Sequence, residues 1–543
     1  MSAERGSNHF VKGAAILGIA GLLSKLMGAV YRIPYQNITG DIGLYVYMQV
    51  YPLYTALLIL ATAGFPIAIS KIVSERLALG DPAGARKAFR IASVSLGILG
   101  LLFFLLLFFG APMIGRMMGD EHLTLPLQAV SWSLLLVPMV SIMRGYFQGQ
   151  QNMMPTGVSQ VVEQLVRVVF IIAAAYWMMA VYHDAYLAGT GAVFAALPGA
   201  VGALLVLLYY WRRNAGTEAS AVDSAKQTAA VMTNREIFNK ILHYAIPICL
   251  GALVLPMIPL IDSVTVSNLL QWSGIDPEAA KDLKGTYDRS QPLIQFGTFF
   301  ATSLSLALVP AISEAMAQGQ TRLVSNRTEI ALRLTLLLGL PASVGLALLA
   351  ESVNVMVYGN DKGTLAIAVQ SFTILFATLM ISSSGILQGI GQVKLPARHL
   401  MIGVVVKLLA NLALIPLWGI VGSAVATVLA YVVAMILNIM AIHRHIGLVI
   451  SLKQLVIKPL IAVGMMGIIV VILEYGLLTG LGDVITHVRL LHTVAGLIAV
   501  GAGALVYGVA LLYTGGITRQ DMRFIPRGEK LIALLTRFKL LRD

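Results

Sequence analysis

Charged residues are scarce in this chain. Only 12% of its 543 residues are Asp, Glu, Lys or Arg, whereas 58% are hydrophobic. Soluble domains carry about 25% charged residues, and their large surface must be covered by polar groups. Apolar stretches recur from Phe10 to Thr514 instead of at one end, unlike a secretory signal peptide. The composition therefore excludes a soluble protein and predicts an all-α polytopic membrane protein.

Cysteine and the common catalytic motifs are nearly or wholly absent. The single cysteine, Cys249, lies in an apolar run, so we expect a buried side chain and no disulfide or Cys-ligated metal. The sequence has no GxxxxGK[ST] phosphate loop and no HExxH, CxxC or GxSxG motif. We expect no metal site, no enzymatic activity and no ATP-driven transport, which leaves a carrier driven by Na⁺, H⁺ or the membrane potential.

Windows of about 20 mainly apolar residues, the length that crosses a bilayer, predict about fourteen transmembrane helices. With these spans, most of the 38 Lys and Arg residues fall on one side of the membrane, which the positive-inside rule identifies as the cytoplasmic side. The net charge of +13 is therefore explained by basic cytoplasmic loops and does not indicate nucleic-acid binding. The same bias places both termini in the cytoplasm. The predicted spans are 10–33, 45–70, 88–111, 123–147, 157–181, 187–211, 238–270, 287–313, 328–350, 364–388, 397–418, 420–442, 455–478 and 488–514.

A weak internal repeat recurs at an offset of roughly 240 residues. PIAIS at 66–70 is matched by PAIS at 310–313, and QGQQNMMP at 148–155 by QGIGQVKLP at 388–396. Matching elements in one orientation predict two six-helix lobes related by a pseudo-two-fold axis along the membrane normal, plus two C-terminal helices. The predicted limits are 1–211 and 238–445 for the lobes, 212–237 for a cytoplasmic linker, 446–515 for the last two helices and 516–543 for a tail.

The tail combines apolar residues at helical spacing with interspersed Lys and Arg. This pattern is typical of a helix that lies on anionic lipids, and a helix that binds a soluble partner is the alternative.

Charged residues inside the predicted spans are functional candidates, because an uncompensated charge in the bilayer costs several kcal/mol. Lys25 and Arg32 lie two helical turns apart on the first span. Glu163 and Arg167 have i,i+4 spacing on the fifth span, which is typical of a structural ion pair and equally compatible with a substrate contact.

The later spans add further charged candidates. Lys407 lies in the eleventh span, and Asp262 in the Pro-rich seventh span is a candidate cation site. Asp288 and Arg289 open the eighth span, where a plain helix-end pair is the alternative. Basic residues outnumber acidic ones in the whole set. Surplus positive charge fits an anionic substrate, and guanidinium groups match phosphate oxygens, whereas a cation exporter would show the reverse balance.

Five stretches carry a family resemblance: GLLSKLMGAVYRIPY at 21–35, TAGFPIAISKIVS at 62–74, MRGYFQGQQNMMPTGVSQVVEQLVRVVF at 143–170, IDSVT at 261–265 and ILQGIGQVKLP at 386–396. They resemble the Bacillus-type lipid II flippases (MurJ/YtgP), in the SpoVB-like polysaccharide-transport branch of the MOP superfamily. The resemblance implies two six-helix lobes around a cavity with alternating access. It also implies movement of lipid II, the undecaprenyl-pyrophosphate-linked peptidoglycan precursor, to the outer leaflet of the bacterial plasma membrane.

The resemblance also suggests site residues. Lys25 in SKLMG and Arg32 fall at or near basic positions of the family, and Asp288 and Arg289 in YDRSQP resemble a pair that opens the eighth helix there. Such basic residues are thought to contact the pyrophosphate. The second span, YPLYTALLILATAGFP at 51–66, lacks the arginine and glutamate of the proteobacterial branch. The charge arrangement of that branch therefore does not transfer to this chain.

Three other functions stay open from the sequence. The chain could move another polyprenyl-linked glycan, such as a teichoic, capsular or sporulation-related precursor. It could be a cation-coupled multidrug exporter, against which the basic cavity argues. It could also be a non-transporting scaffold for cell-wall synthesis proteins, in which case neutralising the buried charges would leave function intact.

Overall fold

The computed structural model describes residues 2–224, 232–447 and 456–516. Within these ranges the chain is helical almost throughout and contains no strand, so the predicted all-α class is confirmed. The helix predicted in the tail and the centre of the predicted linker, 225–231, lie outside the described residues.

The chain divides into two compact units, the first comprising Met1–Gln271 and Asp276–Gly285. Asp side chains start two of its helices by accepting bonds from backbone N–H groups: Asp81 from Gly84 at 2.7 Å, and Asp184 from Tyr186 at 2.7 Å. Its helices are α1 (Ser2–Val30), α2 (Arg32–Thr62), α3 (Phe65–Ala78), α4 (Pro82–Met117), α5 (Thr124–Ser131), α6 (Ser133–Gly149), α7 (Met154–Tyr182), α8 (Ala185–Phe194), α9 (Ala196–Ser224), α10 (Asn234–Trp272) and most of α11 (Pro277–Asp288).

The second unit comprises Trp272–Ile275 and Thr286–Asp543. Its core includes the last two helices, since Met466 and Val470 of α17 and Ala499 of α18 are buried in one cluster with Leu337 of α13. The lobe limits predicted from the sequence stay predictions. The unit boundary differs from them at α10, which belongs to the first unit but falls within the predicted second lobe, 238–445. The helices of this unit are α12 (Ser290–Ala317), α13 (Thr321–Leu348), α14 (Ala350–Tyr358), α15 (Thr364–Gly389), α16 (Lys394–Ile446), α17 (Lys458–Leu481) and α18 (Val488–Thr514).

Eleven helical segments of the described ranges are long and apolar enough to cross a membrane. Two of them, Ile16–Ala78 with 63 residues and Lys394–Ile446 with 53, each contain two predicted spans. Together with α12, which coincides with the eighth span, they account for the fourteen predicted helices. Large apolar side chains such as Phe109 and Ile468 are exposed on these helices, as surfaces that face lipid require. The chain is a multi-pass membrane protein.

Two glycines divide long helices. Gly419 has φ 56° and ψ −136° inside α16, and Gly40 has φ 68° and ψ −170° inside α2. An L side chain rarely adopts such a backbone, so glycine is required at both points. Gly419 lies within the segment predicted to divide the eleventh span from the twelfth. By contrast, α10 continues through Pro247, Pro256 and Pro259 as one 39-residue helix.

The two turns that carry the QG…P motifs have the same backbone geometry. After α6, Asn152 N–H donates to Phe147 C=O at 3.0 Å, and Gln151 has φ 60°. After α15, 240 positions later, Gln392 N–H donates to Leu387 C=O at 2.8 Å, and Gly391 has φ 86°. The same Schellman-type turn therefore ends both helices of the pair that the QG…P motifs identified.

Candidate functional site

Three ionised side chains form a network between α6 and α7. Arg144 Nη2 donates to Glu163 Oε2 at 2.8 Å, and Arg167 Nη2 donates to Glu163 Oε1 at 2.9 Å. Arg144 Nε also donates to Ser159 Oγ at 2.9 Å. Ser159, Glu163 and Arg167 lie on successive turns of α7, so one face of the helix presents all three. Glu163 therefore pairs with Arg167, as the spacing suggested, and also with Arg144 of the neighbouring helix.

Arg32 lies at the start of α2 among tyrosines and is only 6% exposed. Its guanidinium carbon is 5.8 Å from the centroid of the Tyr51 ring, a cation–π distance. Tyr51 stacks on Tyr47 with ring centroids 5.2 Å apart, and the Tyr47 hydroxyl is hydrogen-bonded to that of Tyr31. Arg32 is also hydrogen-bonded to the Tyr31 side chain, so tyrosines surround the guanidinium.

The tyrosines connect Arg32 with the ion-pair network. The side chains of Tyr47 and Tyr51 lie near both Arg32 and Arg167. Among the described residues, the Nε atoms of Arg32 and Arg167 are buried and have no hydrogen-bond partner. A buried donor without an acceptor is costly, so such atoms indicate a ligand or water that the site holds. We call this set the arginine–tyrosine cluster: Arg32, Tyr47, Tyr51, Arg144, Glu163 and Arg167.

The arginine–tyrosine cluster carries three arginines and one glutamate, an excess of two positive charges. Arginine binds phosphate through parallel N–H donors and is less strongly hydrated than lysine, so it suits a partly buried anion site. The set has no pair of carboxylates or thiolates suited to a metal ion. Across the described residues, no group of three His, Cys, Asp or Glu side chains could hold a metal. The chemistry available here is anion binding.

Arg289 is placed differently, in the second unit. It is 1% exposed, and its Nη1 donates to Asn360 Oδ1 at 2.7 Å and, more weakly, to Asn354 Oδ1 and Lys362 C=O at 3.4 Å. The Tyr358 hydroxyl donates to Arg289 C=O at 2.6 Å, and the Tyr358 ring lies 5.2 Å from the guanidinium. Arg289 therefore ties the start of α12 to the end of α14 and the loop that follows.

The other predicted residues are also buried, except for Lys25. Lys407 of α16 is fully buried and donates to Thr427 Oγ1 at 2.6 Å, and Thr427 is 2.9 Å from the Tyr287 hydroxyl. Asp288, the last residue of α11, is 2% exposed and belongs to the second unit. Asp262 of α10 is also 2% exposed and belongs to the first unit. Lys25 is exposed on α1, whereas Arg32 is buried, so the two residues do not share one environment.

Arg144 and the tyrosines are the members that the sequence analysis missed. Arg144 lies inside the fourth predicted span, 123–147, so a basic residue in an apolar window was the signal that could have found it. Its bond to Glu163 joins two helices, and no spacing rule predicts such a contact. Tyr47 and Tyr51 have the i,i+4 spacing of a helix face, which by itself indicates only a packed aromatic face.

Comparisons with known proteins agree with this architecture. A family model described as polysaccharide biosynthesis protein matches residues 10–316. The chain is 34% identical to the uncharacterized membrane protein YabM of Bacillus subtilis over 97% of each chain. It is 31% identical to the lipid II flippase MurJ of the same organism, over 86% of this chain and 89% of the relative.

A solved structure shows the same fold. The lipid II flippase MurJ in an inward closed conformation matches with a TM-score of 0.67, covering 91% of this chain and 98% of that chain, at 14% identity. At this identity the likeness concerns the fold alone. The family model spans more than half of the chain, and the relatives match along most of its length. The chain therefore has the helical fold of that solved structure and belongs to the polysaccharide biosynthesis protein family.

Proposed function

We propose that this protein moves lipid II from the cytoplasmic to the outer leaflet of a bacterial plasma membrane by alternating access. The observation that carries the proposal is the excess positive charge of the arginine–tyrosine cluster, in which two buried guanidinium Nε atoms lack an acceptor. A diphosphate supplies several acceptor oxygens and the charge that this cluster lacks. The 31% identity to the lipid II flippase MurJ supports the choice of glycan lipid.

Each charged residue has a proposed role. Arg32 and Arg167 bind the diphosphate, and Arg144 together with Glu163 holds Arg167 in position. Arg289 and Asp288 position the start of α12, in line with the contacts that enclose Arg289. Lys25 and Lys407 stay candidates for substrate contacts, each in its own unit, and Asp262 stays a candidate site for a coupling cation. The proposed partners of the protein are the polyprenyl-diphosphate-linked glycan lipid, anionic membrane lipids and cell-wall synthesis proteins.

Translocation needs an energy source, for which Na⁺, H⁺ and the membrane potential are the candidates. The potential supplies about 2.3 kcal/mol per charge per 100 mV, so a head group with two negative charges responds strongly to it. No enzymatic step is part of the proposal.

The test uses cells depleted of their own lipid II flippase. Outer-leaflet lipid II is scored by an externally added enzyme that cleaves it, after expression of the wild type, Arg32→Gln, Arg167→Gln or Arg116→Gln. Arg116 is an exposed arginine of the same unit, so its variant controls for loss of one positive charge. We expect rescue by the wild type and Arg116→Gln, and at least a tenfold loss in the other two, since each removes a charge-assisted bond of about 1.5–3 kcal/mol.

A second candidate is export of another polyprenyl-diphosphate-linked glycan. It is supported by the family description, polysaccharide biosynthesis protein, which names no single glycan. Both candidates share the diphosphate, so the arginine–tyrosine cluster serves either. A well-expressed, correctly inserted wild type that fails to expose lipid II would reject the first candidate in favour of the second.

A further inference from the structure

An acidic side chain lies inside the penultimate helix. Between Lys458 and Leu481, α17 is apolar apart from Lys458 at its first position and Glu474. A carboxylate within a membrane helix is costly unless it is bonded or protonated, and such residues commonly mark proton or ion sites. Glu474 is half-buried and belongs to neither the arginine–tyrosine cluster nor the surroundings of Arg289.

Glu474 is bonded to a hydroxyl that also reaches a histidine. Ser352 of α14 is fully buried, and its Oγ lies 2.5 Å from Glu474 Oε1 and 3.2 Å from His492 Nδ1 of α18. One hydroxyl thus joins a carboxylate and an imidazole that come from two different helices. All three helices belong to the second unit.

The single hydroxyl hydrogen of Ser352 limits the protonation states that Glu474 and His492 can adopt together. Ser352 has one hydroxyl hydrogen, so it can donate to only one neighbour and must accept from the other. If it donates to ionised Glu474, His492 donates from Nδ1–H. If it donates to His492 Nδ1, Glu474 is protonated and donates to Ser352. Both bonds persist in the two states, which differ by one proton when the imidazole is neutral in each.

The charged surroundings of Glu474 are simple. Among the described residues, Glu351 and His492 are the charged or titratable groups that act on it electrostatically. Glu351 precedes Ser352 on α14 and is exposed. Arg489 of α18 instead donates to Met356 C=O at 2.9 Å and Val357 C=O at 3.0 Å at the end of α14. In the described part of the chain, no arginine or lysine therefore compensates the Glu474 charge, which binding of a proton would neutralise.

We propose that Glu474, Ser352 and His492 form a proton-binding site in the second unit. One proton from water binds the Glu474 carboxylate, the Ser352 hydroxyl turns toward His492, and the neutral imidazole moves its own hydrogen from Nδ1 to Nε2 by exchange with water. Release reverses these steps. The proposal goes beyond the proposed function, because it concerns a proton and holds whichever glycan lipid the protein moves.

The test is infrared spectroscopy of the purified full chain in lipid vesicles as the pH is lowered. Subtracting the Glu474→Gln spectra from those of the wild type isolates one carboxyl group. We expect this difference to show conversion of a carboxylate to a protonated carboxyl together with imidazole bands. The control, Glu121→Gln, removes an exposed carboxyl that is not among the groups acting on Glu474, and its difference spectra should show carboxyl conversion without imidazole bands.

Ser352→Ala removes the hydroxyl that joins Glu474 to His492, while both titratable side chains remain. In this background the Glu474 conversion should lose its imidazole bands, because no hydroxyl then joins the carboxyl group to the ring. Absence of any Glu474 conversion in the wild type, or conversion without imidazole bands, would overturn the proposal. The measurement needs no lipid substrate, so a failure of the lipid II assay leaves its result intact.

Discussion

Glu163 bonds two arginines at once, and this makes it the residue on which the charge balance of the arginine–tyrosine cluster depends. Its side chain is 16% exposed, and those of Arg144 and Arg167 are 19% and 13% exposed. Removing one partner of a buried pair leaves the remaining charge uncompensated, which costs more than the pair itself contributes. Here a single carboxylate compensates two such charges.

We therefore expect Glu163→Gln to lower the free energy of unfolding by about 3 kcal/mol. Glu75→Gln is the matched control, because Glu75 pairs with Lys240 at 2.7 Å on the surface and its side chain is 44% exposed. That change should cost less than about 1 kcal/mol. Thermal unfolding of the purified proteins in detergent measures both. Equal losses in the two variants would contradict the buried character of the Glu163 network.

Arg289→Lys tests the positioning role of Arg289. A lysine keeps the positive charge, but it has no planar guanidinium that can lie against the Tyr358 ring while Nη1 bonds Asn360 and the Lys362 carbonyl. We expect faster hydrogen exchange of backbone amides in residues 359–363, measured by mass spectrometry. Exchange at the wild-type rate would show that this loop is held without Arg289 and would reopen a direct contact with substrate.

Among the elements, α14 connects several partners through only nine residues. Ser352 faces Glu474 and His492, whereas Asn354 and Tyr358 face Arg289. Arg489 covers the carbonyl groups near its C-terminal end. The last two transmembrane helices are thereby joined through α14 to the start of α12, by polar contacts that supplement the apolar core.

The division of α16 at Gly419 gives a second prediction about an element. Gly419→Ala places a Cβ on a backbone with φ 56° and ψ −136°, which should cost about 1–3 kcal/mol of stability. Gly464→Ala is the control, because Gly464 lies inside α17 with no atom within 4 Å of an added Cβ. Alanine there should be neutral or stabilise by up to about 1 kcal/mol. If both variants had the same unfolding temperature, the bend in α16 would not require glycine.

For the whole molecule, topology follows from the positive-inside rule. In a Cys249→Ser background, Glu121→Cys and Asp483→Cys lie in predicted outer loops, one in each unit, and Arg213→Cys lies at a predicted cytoplasmic helix end. All three wild-type side chains are exposed. A membrane-impermeant maleimide should label the first two in intact cells and the third only after permeabilisation. Labelling of Arg213→Cys in intact cells would reverse the orientation.

The fold was largely predictable because hydropathy, charge bias and helix length act locally along the chain. The spans, the bend near Gly419 and the Glu163–Arg167 pair all depend on residues close in sequence. The candidate site was predictable only in part. The bond between Arg144 and Glu163 joins residues 19 positions apart on two helices, and the Ser352–Glu474 bond joins residues 122 apart. Such contacts depend on packing between helices, which periodicity does not encode.

The central claim is that the arginine–tyrosine cluster binds the diphosphate of a polyprenyl-linked glycan. The most direct measurement is transport of fluorescent lipid II by the purified protein in vesicles, with undecaprenyl diphosphate or undecaprenol added as competitor. We predict that the diphosphate inhibits transport and that the alcohol, which has the same tail, does not. We also predict that Arg167→Gln weakens inhibition by the diphosphate at least tenfold. Equal inhibition by both competitors would contradict the account, because the tail alone would then determine binding.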